Sequence, residues 1–345
     1  MTRFRRLKRS LWAWKIRTMS RRFPSRIRHH VRNMTAAIAA GPSRRRTALP
    51  LERIKHLHII LSLKCNQRCR MCYQADFHRD LDPEICRRKL LPVYPHLEEI
   101  ILQGGEPTAI AGTRPFMDFV LGINSRVRFS LMTNGMLFDR GWAELFCRHG
   151  RLVNFSLNAA GPETYARVSR TKHWPRIVDN LETLVGLRGP DSTPEIAISF
   201  VILEENIGEL GAFIELGRRI GVDRVRFFFD PHLLPEDGDA VRKALDGAAA
   251  VRLAAGSLRV EGLERFEAVY FRKPADAPTC SSPFDTLFVD AGGETGLCCQ
   301  MTRLIGDLRF SAVEKIWNGA PAARIRRAFR KGDYRYCGYY CRPLP

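Results

Sequence analysis

Short apolar runs rich in β-branched side chains recur along the chain and are separated by longer amphipathic stretches. Runs of this length and character are typical of strands in a parallel sheet that is buried on both faces. We therefore predict six parallel strands. They are HLHIILSL from His56, EEIILQGG from Glu98, RFSLMTNG from Arg128, RLVNFSLN from Arg151, EIAISFVIL from Glu195 and RVRFFFD from Arg224.

Helical patterns occupy the intervals between these runs. PETYARVSRTKHWPRIVDNLETLVGL, from Pro162, predicts one helical stretch, and NIGELGAFIELGRRIG, from Asn206, predicts another that ends at Gly221 as a C-cap glycine. A basic helix is predicted over 313–330. Regular alternation of strand and helix predicts an α/β fold, either a βα barrel or a doubly wound sheet.

Chemically distinctive residues follow four of the predicted strands. In a parallel barrel the carboxyl ends of the strands meet at one mouth, which is where such folds keep their active sites. We therefore predict one site at that mouth. Its members are Cys65, Cys69 and Cys72 after the first strand, Gly104, Gly105, Glu106 and Pro107 after the second, Thr133 and Asn134 after the third, and Ser156 and Asn158 after the fourth.

The composition is that of a soluble globular protein. Hydrophobic residues make up 45% of the chain, and no apolar run reaches the roughly 18–20 residues of a membrane span. The 10 cysteines are clustered and no secretory signal opens the sequence. We therefore expect a reducing, cytoplasmic location and metal ligation in place of disulfides.

The positive charge is concentrated at the N-terminus. Of the net charge of +20, the 15 Lys and Arg residues before Glu52 supply the larger part, with no acidic residue among them. Phe4, Leu7, Leu11 and Trp14 form an apolar stripe opposite a basic face, a pattern that suits anionic membrane surfaces or nucleic acid. A flexible tail or a transit peptide would have the same composition. We expect at most peripheral membrane contact, and no nucleic acid as a partner.

The cysteine triplet in KCNQRCRMC predicts a metal site. Cysteine thiolates select zinc or iron–sulfur clusters. A zinc site needs a fourth ligand, for which His78 is the candidate in the following loop. Three thiolates on a four-iron cubane would instead leave one iron open to another ligand.

The triplet after the first strand and the GGEP after the second resemble the radical S-adenosylmethionine (SAM) superfamily, from roughly Leu57 to Phe229. The resemblance implies a partial (β/α)6 TIM-like barrel in which the three cysteines hold a [4Fe–4S] cluster. It also implies that SAM chelates the open iron and is cleaved to a 5′-deoxyadenosyl radical, which takes hydrogen from a substrate. A reductant such as a flavodoxin or ferredoxin would supply the electron.

The same resemblance implies which residues contact SAM. Glu106 would accept hydrogen bonds from the methionine ammonium, and Ser156 with Arg170 (or Arg167) would contact the ribose and carboxylate. Two positions depart from the family pattern, since Met71 replaces an aromatic residue and Asn158 replaces an aspartate. The full predicted set is Met71, Gly104, Gly105, Glu106, Pro107, Asn134, Ser156, Arg170 and Leu203, the last lying with Val201 beside the adenine.

The C-terminal part of the chain contains a second group of cysteines. CSSPFDTLFVDAGGETGLCC predicts a β-hairpin, and YCGYYC follows near the end. The arrangement resembles the SPASM domain or its shorter twitch variant, which implies an auxiliary [4Fe–4S] cluster. Structural zinc, buried thiols and a role for Cys299 as a ligand remain alternatives, while Cys86 and Cys147 are predicted to be core thiols. The implied ligands are Cys280, Cys298, Cys337 and Cys341.

We therefore predict a basic arm (1–51), a radical SAM partial barrel (52–256) and a small cluster domain with a hairpin and a helix (257–345). The main hypothesis is a radical SAM oxidoreductase, because a fully ligated auxiliary cluster favours net oxidation over isomerisation. The substrate is either a peptide, to be oxidised, epimerised or crosslinked, or a sugar or cyclitol alcohol. Asp230 is the candidate proton acceptor, unless it only caps the next element. The alternative is a non-catalytic iron–sulfur or zinc redox sensor with a nucleic-acid-binding arm.

Overall fold

In a computed structural model, the protein is described over residues 48–73, 78–189, 193–276, 279–338 and 341–343. Residues 1–47 lie outside these ranges, so the expectations about the basic arm remain predictions. Among the described residues, no helix combines the length and the apolar character needed to span a membrane.

A single ten-stranded sheet forms the centre of the molecule. Strands β1 to β7 are parallel and lie side by side in chain order, with β8 next to β1 on the other edge. Parallel strands that lie next to one another in chain order are typical of a partial βα barrel. All six predicted strands are confirmed. The strands are β1 His56–Ile60, β2 Glu99–Gln103, β3 Arg128–Thr133, β4 Gly150–Ser156, β5 Glu195–Ile202, β6 Arg224–Phe229, β7 Arg259–Glu261, β8 Thr286–Val289, β9 Glu294–Gly296 and β10 Gly306–Asp307.

The helices cover the outer, apolar face of this sheet. Phe213 of α5 packs 4.8 Å from the ring of Phe200 in β5, and Phe266 of α7 packs 5.6 Å from Phe229 in β6. A π-helix spans Ile85–Lys89. The α-helices are α1 Thr113–Ile123, α2 Arg140–His149, α3 Pro162–Ser169, α4 Trp174–Arg188, α5 Leu210–Ile220, α6 Gly238–Leu253, α7 Leu263–Tyr270, α8 Ser282–Asp285, α9 Val313–Trp317 and α10 Ala320–Phe329.

The inner face of the barrel is polar. The sequence had predicted strands that are apolar on both faces, so the prediction was wrong for this face. Alternate residues of the strands point away from the helices, because side chains along a strand alternate between its two faces. At the base of the barrel, Glu99 bonds His56 at 3.0 Å and Ser130, and lies 3.7 Å from Arg151. The inner face also carries His58, Asn154, Ser199 and Arg226.

Two predicted helices are each divided in two. The stretch from Pro162 breaks after Ser169, where Arg170 adopts the left-handed conformation with φ 59°, and it restarts at Trp174 with a proline in its first turn. The basic helix predicted over 313–330 breaks at Asn318 and Gly319. There the Asn318 side chain bonds both the N–H and the carbonyl of Leu49, at 2.8 and 3.0 Å. A long-range contact therefore overrides the helical pattern.

The predicted C-terminal hairpin is confirmed as the antiparallel pair β8 and β9. Strand β8 also extends the barrel sheet, since Thr286 to Val289 pair in parallel with His56 to Ile59. On the opposite edge, β7 pairs with β6 beyond residue 256. The sheet thus runs across the predicted domain boundary without interruption, and the position of that boundary remains a prediction.

Candidate functional site

The loop that carries the cysteine triplet is closed at its base by strand-like pairing. The N–H of Leu63 donates to the carbonyl of Arg79 at 2.8 Å, and Ser62 Oγ donates to Asp80 Oδ1 at 2.6 Å. Lys64 Nζ contacts the other Asp80 oxygen at 2.6 Å. The two ends of the loop are therefore fixed beside each other at the carboxyl end of β1.

The middle of the same loop is held against helix α3. Gln67 Nε2 donates a buried hydrogen bond to the hydroxyl of Tyr165 at 2.9 Å, and the N–H of Arg70 donates to the carbonyl of Val168, also at 2.9 Å. None of these contacts uses a cysteine side chain. The loop is thus positioned by its backbone and its polar residues, which leaves the thiols available to a metal.

The two glycines after β2 allow this loop to cross the end of the strand. The N–H of Gly105 donates to Ser62 O and that of Glu106 to Lys64 O, each at 2.9 Å. A Cβ atom on Gly105 would lie 1.9 Å from Lys64 O, and Gly104 has φ +146°, which L side chains rarely adopt. The backbone that approaches these glycines closely is therefore that of the cysteine loop.

Glu106 links the ends of β2 and β3. Its side chain is 1% exposed. Oε1 accepts from the N–H and hydroxyl of Thr108 (3.0 and 2.6 Å) and from Thr133 Oγ1 (2.7 Å), while Oε2 accepts the N–H of Asn134 at 2.6 Å. Burial raises the pKa of Glu106, and these donors oppose that rise. Among the described residues, Oε2 accepts only this one bond, so it can accept a second from a ligand ammonium group.

The three thiols of the triplet lie close enough to one another to interact electrostatically. Burial, followed by Cys65 and Cys72, raises the pKa of Cys69 to about 12, and nearby Arg170 opposes this rise. Asn134 Nδ2 lies 3.9 Å from Cys65 Sγ. Burial and the neighbouring thiols both disfavour the charged thiolate form. A metal cluster would stabilise that form, because metal ions displace the thiol protons. The structure thus brings the cysteines, Arg170 and Asn134 together, and their roles as ligands remain predictions.

Two asparagines fix the carboxyl ends of β4 and β5. Asn158 adopts φ 59°, a conformation that asparagine tolerates, and its Oδ1 accepts the N–H of Val201 at 2.8 Å. Asn206 Nδ2 donates to the carbonyls of Asn158 and Val201 at 3.0 and 2.9 Å, and its Oδ1 accepts the N–H of Leu203 at 2.8 Å. The sequence analysis missed Asn206, since a lone asparagine after a strand carries no distinctive pattern.

The remaining predicted residues lie at or near the mouth. Ser156 ends β4 and Met71 lies in the cysteine loop, both half-buried. Leu203 is buried after β5, where its N–H is already bonded. Asp230 follows β6, and its Oδ1 accepts the N–H of His232 at 2.9 Å in a turn. A capping role for Asp230 is therefore present in the structure, while its role as a proton acceptor remains a prediction.

The four C-terminal cysteines also converge. Burial raises the pKa of Cys337 to about 12, and Cys341, Cys280 and Cys298 each add to the rise. A hydrogen bond with Cys299 lowers the pKa of Cys298 to about 7, which places a fifth thiol beside the group. The donor set of four mutually interacting thiols fits an iron–sulfur cluster. Within the described ranges, no three Cys, His, Asp or Glu side chains are grouped so that they could hold a single metal ion.

Two family models match the chain. The model of the radical SAM superfamily matches residues 59–217, and that of the SPASM iron–sulfur cluster-binding domain matches residues 280–342. The first range contains the cysteine triplet and the GGEP segment, and the second contains all four C-terminal cysteines.

Related sequences include GTP 3′,8-cyclases and a molybdenum cofactor biosynthesis protein. The chain is 25% identical to a GTP 3′,8-cyclase of Geobacter sulfurreducens over 67% of its own length and 68% of the relative. It is 27% identical to molybdenum cofactor biosynthesis protein 1 of Dictyostelium discoideum, over 53% of its own length. The chain covers only 29% of that Dictyostelium protein.

Solved structures with the same fold include enzymes described with peptides. SuiB of Streptococcus suis bound to precursor peptide SuiA matches 85% of this chain and 70% of its own, with a TM-score of 0.60 and 13% identity. The enzyme anSMEcpe with bound AdoMet matches 78% of this chain and 79% of its own, with a TM-score of 0.61 and 15% identity. Together with the cysteine geometry and the matched models, this fold settles the assignment: the chain belongs to the radical SAM superfamily, uses SAM with a [4Fe–4S] cluster, and carries a C-terminal SPASM iron–sulfur cluster-binding domain.

Proposed function

We propose that this radical SAM enzyme carries out a net two-electron oxidation of a peptide substrate. When bound, SAM and its cluster would supply a 5′-deoxyadenosyl radical that takes one hydrogen atom from the substrate. The auxiliary cluster would accept one electron. A side chain of the protein receives the accompanying proton. One hydrogen atom, one proton and one electron together account for the loss of two hydrogens from the substrate.

The observation that carries this proposal is the convergence of Cys280, Cys298, Cys337 and Cys341, each of which contributes to a shared electrostatic environment. Four thiolates ligate all four irons of a [4Fe–4S] cluster and leave none open to substrate. Such a cluster is suited to accept an electron, which an isomerisation or epimerisation would not require.

Residues at the barrel mouth are proposed to contact SAM. Glu106 Oε2, which accepts the N–H of Asn134, is assigned to the methionine ammonium of SAM, and Arg170, which lies near Cys69, is assigned to its carboxylate. Ser156 at the end of β4 is assigned to the ribose. The backbone around Met71 and Leu203 is assigned to the adenine. Each of these assignments follows the resemblance and is consistent with where the residue lies.

Near the base of the barrel, opposite the mouth, the arginines of β6 and β7 are already paired with carboxylates. Arg224 bonds both oxygens of Glu195 at 3.1 and 3.0 Å, and Arg226 lies 3.6 Å from Glu261. Arg259 also pairs with Glu195. A triphosphate needs cations that are not already neutralised. These arginines therefore give no support to a nucleotide triphosphate. The structure of SuiB with its precursor peptide supports a peptide over a sugar or cyclitol alcohol.

Asp230 is our candidate for the proton acceptor, because it follows β6 at the mouth and is only half-buried. A carboxylate near the substrate can act as a general base and accept the proton. The reducing partner is proposed to be a flavodoxin or ferredoxin, and the location cytoplasmic, with any membrane contact restricted to the basic arm.

Anaerobic reconstitution tests this proposal. We expect about eight irons per chain for two [4Fe–4S] clusters, and release of 5′-deoxyadenosine when dithionite and SAM are added. A double variant, Cys337→Ala with Cys341→Ala, should keep cofactor cleavage but lose substrate oxidation. Cys147→Ala, which alters a thiol outside both groups, is the matched control. Full oxidation by a folded double variant with four irons would contradict the proposal, and bound zinc without cofactor cleavage would favour a non-catalytic sensor.

A further inference from the structure

Most polar groups on the inner face of the barrel are paired within the protein. Glu99 contacts His56 and Arg151 at the base, and Asn154 Nδ2 donates to Ser199 Oγ at 2.8 Å. Two inner-face side-chain atoms are buried and have no hydrogen-bond partner among the described residues. They are His58 Nε2 and Asn154 Oδ1.

His58 lies on β1, with its ring edge-to-face against Phe288 of β8 at 5.3 Å. Its side chain is 6% exposed. Burial lowers the pKa of His58 to about 4, although Gln103 at the end of β2 and Glu99 below it both oppose this fall. The imidazole is therefore neutral at pH 7, and its Nε2 donates or accepts one hydrogen bond according to the tautomer.

Asn154 lies on β4 and is 2% exposed. Its register partners are Met132 on β3 and Ala197 on β5, neither of which offers a polar side chain. In the structure the nitrogen end of the amide bonds Ser199, and the carbonyl oxygen is the unpaired end. Ser156, two residues further along the same face of the strand, ends β4 at the mouth. The Asn154 oxygen therefore lies one layer below the proposed SAM contact.

Buried polar atoms almost always have a hydrogen-bond partner, and an orphaned atom requires a ligand or an ordered water. We propose that His58 Nε2 and Asn154 Oδ1 form the floor of the substrate cavity and bind a neutral hydroxyl or amide group of the substrate. A hydroxyl can donate to the asparagine oxygen, and a hydroxyl or a carbonyl can accept from the imidazole N–H. A phosphate or carboxylate is disfavoured, because an asparagine oxygen only accepts hydrogen bonds and the neutral histidine supplies no charge.

This inference rests on the proposed function, because it describes the cavity in which the oxidised substrate would lie. It is nevertheless testable by binding alone. The holoenzyme, with both clusters and SAM, is studied anaerobically by saturation-transfer NMR with N-acetylserinamide as the probe and its phosphorylated derivative as the charged comparison. We expect the neutral probe to bind and the phosphorylated probe to bind more weakly.

Two variants remove the orphaned atoms and keep side-chain volume. His58→Phe and Asn154→Leu should each weaken binding of N-acetylserinamide about fivefold, the loss of one neutral hydrogen bond. His149→Phe, at the end of α2, is the matched control and should bind the probe like the unaltered enzyme. Iron content and circular dichroism establish that each variant is folded. If His58→Phe does not fold, His58→Gln serves in its place.

Unchanged affinity in both folded variants would overturn the inference, as would tighter binding of the phosphorylated probe. A crystal structure of the probe-soaked holoenzyme with only water bound to each of the two atoms would also overturn it. The proposed oxidation can fail separately. If Cys337 and Cys341 prove dispensable for turnover while probe binding still depends on His58, the oxidation proposal is wrong and the inference stands.

Discussion

Arg79 Nη1 lies 3.5 Å from Glu294 Oε2, which connects the base of the cysteine-triplet loop to the turn of the C-terminal hairpin. The Glu294 side chain is 12% exposed, and Arg309 contacts its other oxygen at 3.1 Å. Burial and the nearby Glu294 raise the pKa of Asp290 in the same turn to about 7. Two cations therefore compensate a concentrated, buried negative charge where the two cysteine-bearing segments meet.

Replacement of Arg79 should destabilise the protein more than replacement of an exposed arginine. Arg79→Met leaves Glu294 with Arg309 alone. We expect a loss of about 1–2 kcal/mol in the free energy of unfolding, because a buried carboxylate that loses one of its two cations is only partly compensated. Arg88→Met is the control. Arg88 and its partner Glu84 are largely exposed, so the expected loss is below about 0.5 kcal/mol. Equal losses in anaerobic denaturant titrations of the two variants would contradict a structural role for the Arg79 contact.

The glycines after β2 provide a second prediction. In Gly105→Ala, the new Cβ would meet Lys64 O at 1.9 Å, and the cysteine loop must move away. We expect iron bound at the triplet and 5′-deoxyadenosine formation to fall at least about tenfold, since overpacking against backbone typically costs about 1–3 kcal/mol or more. Gly112→Ala has open space and an ordinary backbone conformation, so it should behave like the unaltered enzyme. Normal cofactor cleavage by Gly105→Ala would show that the cysteine loop does not need to approach Gly105 this closely.

The sequence predicted the strands and the mouth well because both depend on local signals. Alternation of apolar runs with helical stretches identified β1 to β6, and parallel strands necessarily bring their carboxyl ends together. Contacts between distant residues were not predictable in this way. Asn318 breaks a helix by bonding Leu49, 269 residues away in the chain. The bonds of Asn206 and the unpaired oxygen of Asn154 likewise depend on residues from other strands and loops, which the local sequence does not reveal.

The pH dependence of stability should report on His58. Its pKa is about 4 in the folded protein and near 6.5 when unfolded, so the unfolded chain takes up its proton first as the pH falls. The contribution to stability is complete above pH 6.5 and is lost progressively down to pH 4. Between pH 7.5 and 5.5, this residue alone should lower the free energy of unfolding by about 1.4 kcal/mol.

Comparison with His58→Phe separates the contribution of His58 to the pH dependence of stability from that of the carboxylates, because the carboxylates titrate in both proteins. The variant's stability should fall less over the same pH range, by the same roughly 1.4 kcal/mol. Anaerobic chemical denaturation of the holoenzyme at the two pH values measures this difference. Parallel pH profiles would mean that His58 is not held neutral by burial.

Removal of the cysteine triplet should abolish SAM cleavage without disrupting the fold. Replacement of Cys65, Cys69 and Cys72 by alanine should abolish 5′-deoxyadenosine formation and leave about four irons, those of the auxiliary cluster. The loop should keep its position, because the Gln67–Tyr165 bond and the pairing of Leu63 with Arg79 involve no thiol. Iron analysis, circular dichroism and chromatography of the cleaved cofactor measure the three properties on one sample. Cys147→Ala should retain about eight irons and full cleavage. Formation of 5′-deoxyadenosine by the triple variant would place the site of SAM cleavage elsewhere in the chain.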